Sequence, residues 1–356
     1  MKRMYDVAIV GGGPAGAVFA MELAGRMPNL KVVIIDGQGE DNKKVCGGLL
    51  APDAQEVLAK FGLTLPKSVL EDPQIFAVET VDIASNQERC YKRHYLNMDR
   101  YAFDKWLLSL VPDSVERICG RCVSVEKEAD LYRLRVRGRG YESELFADSV
   151  VGADGSSSVV RRCLFGDLPY QYVSIQQWFE NDSAKLPPYS CIFDAKTSDS
   201  CSWTIRKNKY AVFGGAFKKE GCRKAFEEQK ARFEEYVGQA FGEPIKTEAC
   251  LLTSPRKLSD FVTGKDNAYL VGEAAGFISA SSFEGISSAM LSGKMLAEAF
   301  VEGREQGEIQ KLYKRETRKL RLKLFFKIPK MYILCSPALR KIIMKSGLLS
   351  VRKYNE

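Results

Sequence analysis

Hydrophobic and polar positions follow two periods along the chain, and the change of period separates predicted strands from predicted helices. Mostly apolar runs at 5–10 and 31–36 lead into a glycine turn and an acid, which is typical of buried parallel strands. Alternation at 75–84 and within 116–151 instead predicts strands that bury one face. Amphipathic or charged helices are predicted at 99–108, 223–241 and 284–296. The pattern indicates an α/β protein that combines both kinds of sheet.

The first apolar strand runs directly into a glycine turn with the sequence Gly11-Gly12-Gly13-Pro14-Ala15-Gly16. Gly11 permits the tight turn, Gly13 lets the backbone approach a pyrophosphate, and Gly16 allows the next helix to pack on the strand. Pro14 suits the first turn of that helix, whose free N–H groups and positive dipole end would face phosphates. The turn therefore predicts a dinucleotide-binding site.

An acidic residue, Asp36, ends the second strand. It lies about twenty residues past Gly16, the spacing of the acid that accepts hydrogen bonds from the adenosine ribose hydroxyls. Strand, turn, helix, strand and acid thus follow in order, which distinguishes the site from a chance glycine-rich loop. Lys2, Arg3 and the apolar run also resemble a secretory signal, but Asp6 and the glycines argue against export.

Composition limits the remaining classes of protein. With 356 residues, 45% hydrophobic and 28% charged, the chain is long enough for two domains and an appendage, and no uncharged apolar run reaches the length of a membrane span. Its ten cysteines are interpreted as reduced thiols of a cytoplasmic protein. The CxxC at Cys119 and Cys122 is interpreted as buried thiols, with a redox pair as the alternative. Because His94 is the only histidine, no metal site is expected.

The net charge of +8 is concentrated at the carboxyl end. Between Arg304 and Glu356 there are fifteen Lys or Arg and four Asp or Glu, and residues 311–326 form an amphipathic helical pattern of cations interleaved with Leu, Tyr and Phe. A solvated helix packed on the body is one interpretation, and contact with anionic membrane lipid is the other. Nucleic acid is not an expected partner. The protein is therefore expected in the cytoplasm, with a peripheral place at the inner face of the membrane as a further hypothesis.

The central stretch, 170–255, combines short aromatic-rich strands with one charged helix, which suggests a sheet that lines a pocket. The aromatic residues expected in the substrate pocket are Trp178, Phe193, Trp203, Phe213, Phe217 and, further along, Phe283. Ordinary core packing is the competing interpretation for each of them.

Two further segments resemble parts of a nucleotide site. A strand ends at Val151 and is followed by Gly152-Ala153-Asp154-Gly155 and a helix that carries Arg161. The buried strand 267–271 then leads into Gly272-Glu273-Ala274-Ala275-Gly276 and a predicted helix, whose N-terminus would stabilise negative charge on a cofactor ring.

Taken together, the three glycine segments resemble the para-hydroxybenzoate-hydroxylase-like flavoproteins in order and spacing. The chain further resembles the geranylgeranyl reductase superfamily through Cys46-Gly47-Gly48 and through 276–285. Within it, the CbrA-type group is most similar, through the segments 46–55, 176–179, 189–194 and 317–325. This resemblance spans nearly the whole chain.

The resemblance implies a Rossmann-like FAD-binding domain interrupted by an antiparallel-sheet substrate domain, followed by a helical C-terminal segment. The expected FAD-binding domain comprises 1–70, 96–168 and 256–303. The substrate domain comprises 71–95 and 169–255, and the basic segment is 304–356.

The resemblance also implies roles for individual residues around FAD. Asp36 would bind the adenosine ribose, Arg100 would lie near the phosphates or ribityl chain, and Asp154 would support the cofactor region. The residues expected at the pyrophosphate, ribityl chain and isoalloxazine ring are Gly272, Glu273, Gly276, Gly285 and Ile286, with Cys46, Gly47 and Gly48 near the ring.

The chain departs from the family pattern at several positions. Glu273 replaces an aspartate, which would shift its contact with the ribityl chain. Ala280 replaces a proline and Phe283 a glycine, and the substrate-side aromatic motif keeps only Trp203. Lipid as the substrate therefore rests on less than FAD as the cofactor.

The resemblance favours an FAD-dependent oxidoreductase that reduces a carbon–carbon double bond of an apolar isoprenoid or lipid substrate by hydride transfer. Cys46 is a candidate proton donor, but it would serve equally as packing against the ring, with an ordered water as the donor. The electron donor is expected to be NAD(P)H or a ferredoxin-like carrier. A flavin monooxygenase is the alternative function, and a flavin-binding protein without turnover at the membrane surface is the second alternative.

Overall fold

The computed structural model describes residues 3–37, 44–166, 168–180 and 186–353. The chain forms two compact units, each assembled from separate stretches of sequence. The first unit comprises Met1–Lys44, Tyr101–Tyr170 and Thr253–Ile328. The second unit comprises Val45–Arg100, Gln171–Leu252 and Pro329–Glu356.

The strands are numbered in chain order. They are β1 (Arg3–Val10), β2 (Val32–Asp36), β3 (Leu49–Leu50), β4 (Ile75–Asp82), β5 (Gln87–Asn97), β6 (Glu116–Cys119), β7 (Arg121–Glu128), β8 (Leu131–Gly138), β9 (Tyr141–Gly152), β10 (Gln171–Glu180), β11 (Tyr189–Phe193), β12 (Cys201–Lys207), β13 (Tyr210–Phe217), β14 (Lys246–Thr253), β15 (Gly264–Lys265), β16 (Ala268–Leu270) and β17 (Ser350–Val351).

The α-helices are numbered in the same way. They are α1 (Pro14–Arg26), α2 (Pro52–Lys60), α3 (Arg100–Ser109), α4 (Val159–Phe165), α5 (Cys222–Val237), α6 (Ile286–Glu302), α7 (Gln306–Glu316), α8 (Arg318–Phe325), α9 (Lys327–Cys335) and α10 (Pro337–Ser346).

The sheet of the first unit has the strand order β15-β16-β9-β1-β2-β6, with the β7–β8 hairpin attached through β8 to β9. Its central strand β1 is parallel to both neighbours and pairs Val10 with Ile35 on one side and with Gly152 on the other. Because parallel strands end at the same edge of a sheet, the turn after β1, the acid at the end of β2 and the turn after β9 meet there.

Helix α6 packs directly on α1 in this unit. A Cβ at Gly293 would clash with the backbone oxygen of Ala15, so glycine is what allows the two helices to approach so closely. Phe19 and Phe300 complete the contact, with ring centroids 5.6 Å apart. The glycine turn at the start of α1 is thereby held by a buried helix pair.

The sheet of the second unit has the order β14-β10-β13-β12-β11-β4-β5-β17, and β3 pairs with β5. One face packs on α5 through a cluster that includes Phe213, Phe217, Phe226 and Phe233. The opposite face carries a second cluster, built on Ile75, Tyr95, Ile205 and Val212, with Trp178 and Trp203 partly buried against it. Alternation along each strand thus divides its side chains between two layers.

The division into units differs from the predicted domains at several boundaries, and two of these differences are large. Residues 45–70 belong to the second unit, since β3 pairs Leu49 with Asn97 and Leu50 with Leu96 of β5. The C-terminal segment is shared, because α7 and α8 belong to the first unit and α10 to the second. The helix expected at 311–326 is two helices that meet at Thr317, whose hydroxyl donates to the Tyr313 carbonyl at 2.7 Å.

Candidate functional site

The glycine turn after β1 is built so closely that side chains are excluded from it. The amide of Gly11 donates to Ile35 O at 2.8 Å, and Gly11 has φ +108°, a conformation that favours glycine. A Cβ at Gly11 would clash with the Ala153 backbone, and a Cβ at Gly16 would clash with the Gly11 carbonyl. Both glycines are therefore required by the protein's own packing.

Gly13 differs, because a Cβ there would meet no protein atom within 4 Å. Gly13 is the N-cap of α1, and among the described residues no side chain caps that helix or places an acid in its first turn. The N-cap therefore supplies no side-chain acceptor to the first N–H groups, and no acid in the first turn offsets the positive end of the helix dipole. This arrangement fits the pyrophosphate of a dinucleotide.

Asp36 lies at the same edge of the sheet, as the last residue of β2. A Cβ at Gly12 would come within 2.9 Å of the Asp36 carboxyl carbon, so the carboxylate lies against the glycine turn. A carboxylate in this position fits the hydroxyls of an adenosine ribose.

The third glycine segment forms a short 3-10 helix, Gly272–Ala275, bounded by left-handed glycines at Gly272 (φ +58°) and Gly276 (φ +84°). Arg161, buried on α4, holds this turn: its guanidinium donates to Ala274 O and to Asp260 O, each at 2.9 Å. Burial lowers the pKa of Arg161 to about 10, and the Asp260 carboxylate opposes the shift. Arg161 thus gives structural support to the third segment.

Glu273, the residue that replaces the family aspartate, contacts two distant parts of the first unit. Its Oε2 lies 2.8 Å from Lys44 Nζ, and its Oε1 accepts a 2.9 Å hydrogen bond from the Thr253 amide. The longer side chain therefore joins the Gly272–Ala275 turn to the segment that follows β2 and to the start of the last stretch of this unit.

Asp154 makes its hydrogen bonds with α4. Its carboxylate accepts from Ser158 Oγ at 2.5 Å and from the Val159 amide at 2.6 Å, while desolvation raises its pKa. The Ser158 hydroxyl in turn caps the Arg161 amide. Asp154 therefore stabilises the loop after β9, and its support of a cofactor stays a prediction.

The segment before α6 keeps a glycine-like backbone although it lacks one family glycine. Phe283 has φ +54°, in the left-handed region that most side chains avoid. Ala280 is buried, and Gly285 is the N-cap of α6, whose first residue is Ile286. The loop and helix N-terminus expected beside the isoalloxazine ring are thus present, and their contact with a ring stays a prediction.

In the second unit, the Cys46-Gly47-Gly48 loop lies over a buried lysine. The Gly48 amide donates to Cys46 Sγ at 3.4 Å, and a Cβ at Gly48 would come within 2.6 Å of Lys207 Nζ. Gly48 has φ +65°, so both its conformation and its neighbour require glycine. A Cβ at Gly47 would in turn lie 2.8 Å from Ile205 Cδ1.

The Lys207 ammonium is satisfied on all sides by acceptors of the same unit. It donates to Glu71 Oε2 at 2.6 Å, Asn97 Oδ1 at 2.9 Å and Met98 O at 2.8 Å. Burial lowers the pKa of Lys207, whereas the charge of Glu71 and its hydrogen bond oppose that shift. The loop that carries Cys46 therefore rests on a buried positive charge. Arg100, at the start of α3, and Cys46 are both placed by this unit, and their proximity to a cofactor stays a prediction.

The aromatic residues expected in a substrate pocket separate onto the two faces of the second sheet. Phe213 and Phe217 are buried in the α5 core, so their packing differs from the predicted pocket wall. Phe193 is also buried, and the guanidinium carbon of Arg340 lies 4.6 Å from the centroid of its ring. Trp178 and Trp203 lie on the opposite, more open face.

A carboxylate lies at one end of that open face. Glu248 Oε2 accepts from Trp178 Nε1 and from Gln176 Nε2, each at 2.9 Å. The indole of Trp203 covers Gly214, where a Cβ would have no room. Aromatic surface beside a hydrogen-bonded carboxylate can bind a largely apolar molecule that carries a polar group.

The CxxC does not form a nucleophilic pair in this structure. Cys119 is exposed at the end of β6, whereas Cys122 is buried on β7 with a free thiol. Burial raises the pKa of Cys122 to about 12, so its thiol stays protonated at neutral pH.

Sequence reasoning missed Lys44, Lys207 and Thr253, and it gave no role to Arg161. No local motif marks Lys44, Lys207 or Thr253, and Arg161, although it follows the second glycine segment, acts on carbonyls far away in sequence. The one available signal was the family departure at Glu273, since a longer acid implies a new partner.

Comparison with family models finds no match. Protein CbrA of Escherichia coli O6:H1 is 46% identical over 358 aligned residues, which cover 99% of this chain and 96% of the relative. A solved geranylgeranyl bacteriochlorophyll reductase-like protein from Thermoplasma acidophilum has a TM-score of 0.77 at 16% identity, over 94% of this chain and 87% of that one. The p-nitrophenol 4-monooxygenase PnpA of Pseudomonas putida has a TM-score of 0.73 at 14% identity, over 99% of this chain and 100% of that one. These likenesses confirm the predicted para-hydroxybenzoate-hydroxylase-like flavoprotein fold.

Proposed function

Because this chain belongs to the CbrA family, and its first unit contains the cradle described above, we propose that it is an FAD-dependent oxidoreductase. In its finer form, the proposal is reduction of a carbon–carbon double bond in an apolar isoprenoid or lipid substrate. The observation that carries it is the open N-terminus of α1 at Gly13, with Asp36 beside the same turn.

The residues of the first unit fit FAD group by group. The amides at the start of α1 would hold the pyrophosphate, and Asp36 would accept hydrogen bonds from the adenosine ribose. The turn between Gly272 and Gly276 would meet the pyrophosphate and ribityl chain. Gly285 and Ile286 would place the N-terminus of α6 where negative charge on the ring is stabilised. When bound and reduced by an electron donor, the flavin would supply the hydride for reduction of a double bond and would return to its oxidised form.

The second unit would supply the substrate surface. Trp178 and Trp203 offer a flat apolar face, and Glu248 adds a hydrogen-bonded carboxylate at its end. An elongated apolar molecule with one polar group matches this combination of surfaces. The Cys46-Gly47-Gly48 segment favours reduction over hydroxylation, because it is the feature through which the chain resembles the reductase superfamily.

Cys46 has two proposed roles, which differ in what its substitution does. As a proton donor, its thiol would protonate the carbon opposite the one that accepts hydride, and C46S and C46A would then differ in rate. As a packing group against the ring, it would tolerate C46S and C46A equally, with an ordered water as the donor. Lys207 beneath the loop holds the segment in either case.

Hydroxylation is the second candidate function, favoured by the fold likeness to a monooxygenase at a TM-score of 0.73. It would use the same cradle, so the site alone does not separate the two reactions. A flavin-binding protein without turnover is a third candidate, which the aromatic face of the second unit disfavours. NAD(P)H and a ferredoxin-like carrier are the proposed electron donors.

The discriminating experiment uses the full-length holoprotein, reduced by light under anaerobic conditions and mixed with geranylgeraniol as the probe. Reduction predicts that oxidised flavin absorbance returns without oxygen and that the product gains two hydrogen atoms by mass spectrometry. Hydroxylation instead predicts no change until oxygen is admitted, and then a product that gains one oxygen atom. Flavin that stays reduced in the presence of isoprenoid, sterol and fatty-acid alkenes would contradict the reductase proposal.

A further inference from the structure

The end of the second unit, residues 329–353, exposes large apolar side chains that are normally buried. We call this set the C-terminal apolar surface, and it consists of Tyr332, Ile333, Leu339, Ile342, Leu348, Leu349 and Val351. Ile342 is 64% exposed and Leu349 is 83% exposed. An apolar surface concentrated in one short stretch of chain is typical of a binding surface.

Helix α10 within this stretch buries a charged side chain and exposes apolar ones, the reverse of an ordinary surface helix. Its inner face buries Arg340, whose Nε donates to Asp82 Oδ2 at 2.9 Å and whose Nη1 donates to Leu334 O at 2.8 Å. The Met344 carbonyl accepts from Arg89 Nε at 2.8 Å. Buried ions are expensive unless well paired, so this ion pair fixes the helix with one face outward. That outward face is the apolar one, with Leu339 and Ile342 three residues apart.

Exposed cations alternate with the apolar side chains along the sequence, and acids are missing from the same stretch. Residues 317–353 contain no Asp or Glu. The exposed cations near the C-terminal apolar surface are Lys330, Lys341, Lys345, Arg352 and Lys353. Lys353 pairs with Glu79 at 3.0 Å. The remaining exposed cations favour a negatively charged partner over a neutral one.

A second copy of the chain is a poor partner for this surface. A two-fold interface places the same patch on both sides, so each group of cations would meet the other. An anionic bilayer avoids this repulsion, because apolar side chains enter the acyl boundary while lysines and arginines meet the headgroups. Within the described part of the chain, no helix is long and apolar enough to cross a membrane.

We propose that residues 329–353 dock the second unit onto an anionic lipid bilayer, with α10 lying in the interface. The proposal assigns the membrane contact to the last part of the basic segment 304–356. It also adds a function beyond the proposed flavin chemistry. The docking proposal does not depend on the flavin chemistry. The surface is remote in sequence from the glycine cradle, and it would contact only lipid headgroups and acyl chains. Docking would place the protein where apolar substrates are concentrated.

The test is co-sedimentation of the full-length holoprotein with vesicles of phosphatidylcholine, with or without phosphatidylglycerol. We expect binding to the anionic vesicles only, weakened by salt. Each basic residue near an anionic surface contributes roughly fivefold to affinity, so K341Q/K345Q should bind roughly twentyfold more weakly. L339S/I342S should lose binding, because two apolar side chains would no longer enter the acyl boundary of the bilayer.

Matched controls come from the same unit. R223Q/K224Q removes two exposed cations from α5, and F76S removes a side chain that is 69% exposed on β4. Both controls should bind like the parent protein. Deletion from Arg304 is unsuitable, because it removes Tyr313, a buried residue whose hydroxyl donates to Leu270 O at 2.8 Å.

Two results would overturn the proposal: equal binding of the parent and K341Q/K345Q to anionic vesicles, or no binding by the parent at low ionic strength. A dimer that L339S/I342S dissociates, in a protein that ignores vesicles, would assign the surface to a second copy. Flavin content and anaerobic turnover in detergent, measured on the same samples, report the proposed function separately. Failure of one proposal therefore leaves the other intact.

Discussion

The ammonium of Lys44 lies 2.8 Å from the carboxylate of Glu273, although the two residues are 229 positions apart in the sequence. Lys44 lies between β2, the strand that ends in Asp36, and β3, whereas Glu273 lies in the third glycine segment. Their ion pair thus joins two segments of the proposed FAD cradle within the first unit. Both side chains are mostly buried, at 26% and 13% exposure, so solvent screens the pair only in part.

We expect K44M and E273Q each to weaken FAD binding, because the Gly272–Ala275 turn loses its link to the segment after β2. A partly buried pair of this kind contributes about 1 kcal/mol, which corresponds to about a fivefold rise in the FAD dissociation constant. Flavin fluorescence titration of deflavinated protein measures the change. The double variant should be little worse than either single one, since both remove the same interaction.

The control for this pair is Lys294 with Glu298, an ion pair on α6 of the same unit with both side chains 32% exposed. K294Q should leave FAD affinity within about twofold of the parent value, since this i,i+4 pair joins two turns of one helix and links no separate segments of the cradle. Equal effects of K294Q and K44M would show that general loss of charge, and not the link across the cradle, weakens binding.

Gly13 provides a test that separates cofactor binding from folding. A Cβ in G13A meets no protein atom, so the fold should tolerate it, but it projects where the pyrophosphate would approach the helix N-terminus. We expect thermal unfolding of the flavin-free protein to change little, while FAD affinity falls at least about tenfold, or about 1.4 kcal/mol.

The matched control is G25A, in the same helix and also without contacts within 4 Å. It should bind FAD normally and stabilise the helix slightly, by about 0.5 kcal/mol. If G13A and G25A hold equal amounts of FAD, the pyrophosphate does not lie at the start of α1.

Lys207 provides a test of the second unit alone. K207M leaves the Glu71 carboxylate and the Met98 carbonyl without their donor, and we expect the free energy of unfolding to fall by about 3 to 5 kcal/mol. Urea unfolding followed by tryptophan fluorescence measures it, because two of the three tryptophans, Trp178 and Trp203, lie in the second unit.

K209M is the control, since Lys209 is 67% exposed and lies 3.5 Å from an equally exposed Glu180. It should cost less than about 1 kcal/mol. A K207M protein as stable as K209M would mean that the lysine beneath the Cys46-Gly47-Gly48 loop contributes nothing to its support.

Local sequence spacing predicts the glycine turns and the acid of the cradle. The residues that it misses are those whose contacts depend on tertiary packing. Gly16 and Asp36 pack against the glycine turn within one βαβ unit, so a short stretch of sequence specifies them, whereas Gly11 also packs against the distant Ala153 backbone. Lys44 with Glu273 and Lys207 with Glu71 depend on how distant segments pack, and nothing near either residue indicates its partner.

The faces of the second sheet illustrate the same limit. Alternation indicates that Phe213 and Phe217 share a face, but it does not reveal that α5 covers that face. Trp203 lies on the other face of the sheet. Aromatic content alone therefore does not distinguish a side chain in the core from one on the open face. The C-terminal break at Thr317 likewise follows from a packed hydroxyl, not from the helical pattern.

The most direct test of the central claim is the cofactor content of the protein purified under native conditions. Denaturation should release one FAD per chain, identified by its mass, and G13A should release much less than G25A. Protein that contains no flavin and takes up none on titration, or that binds a nicotinamide dinucleotide in its place, would contradict the account.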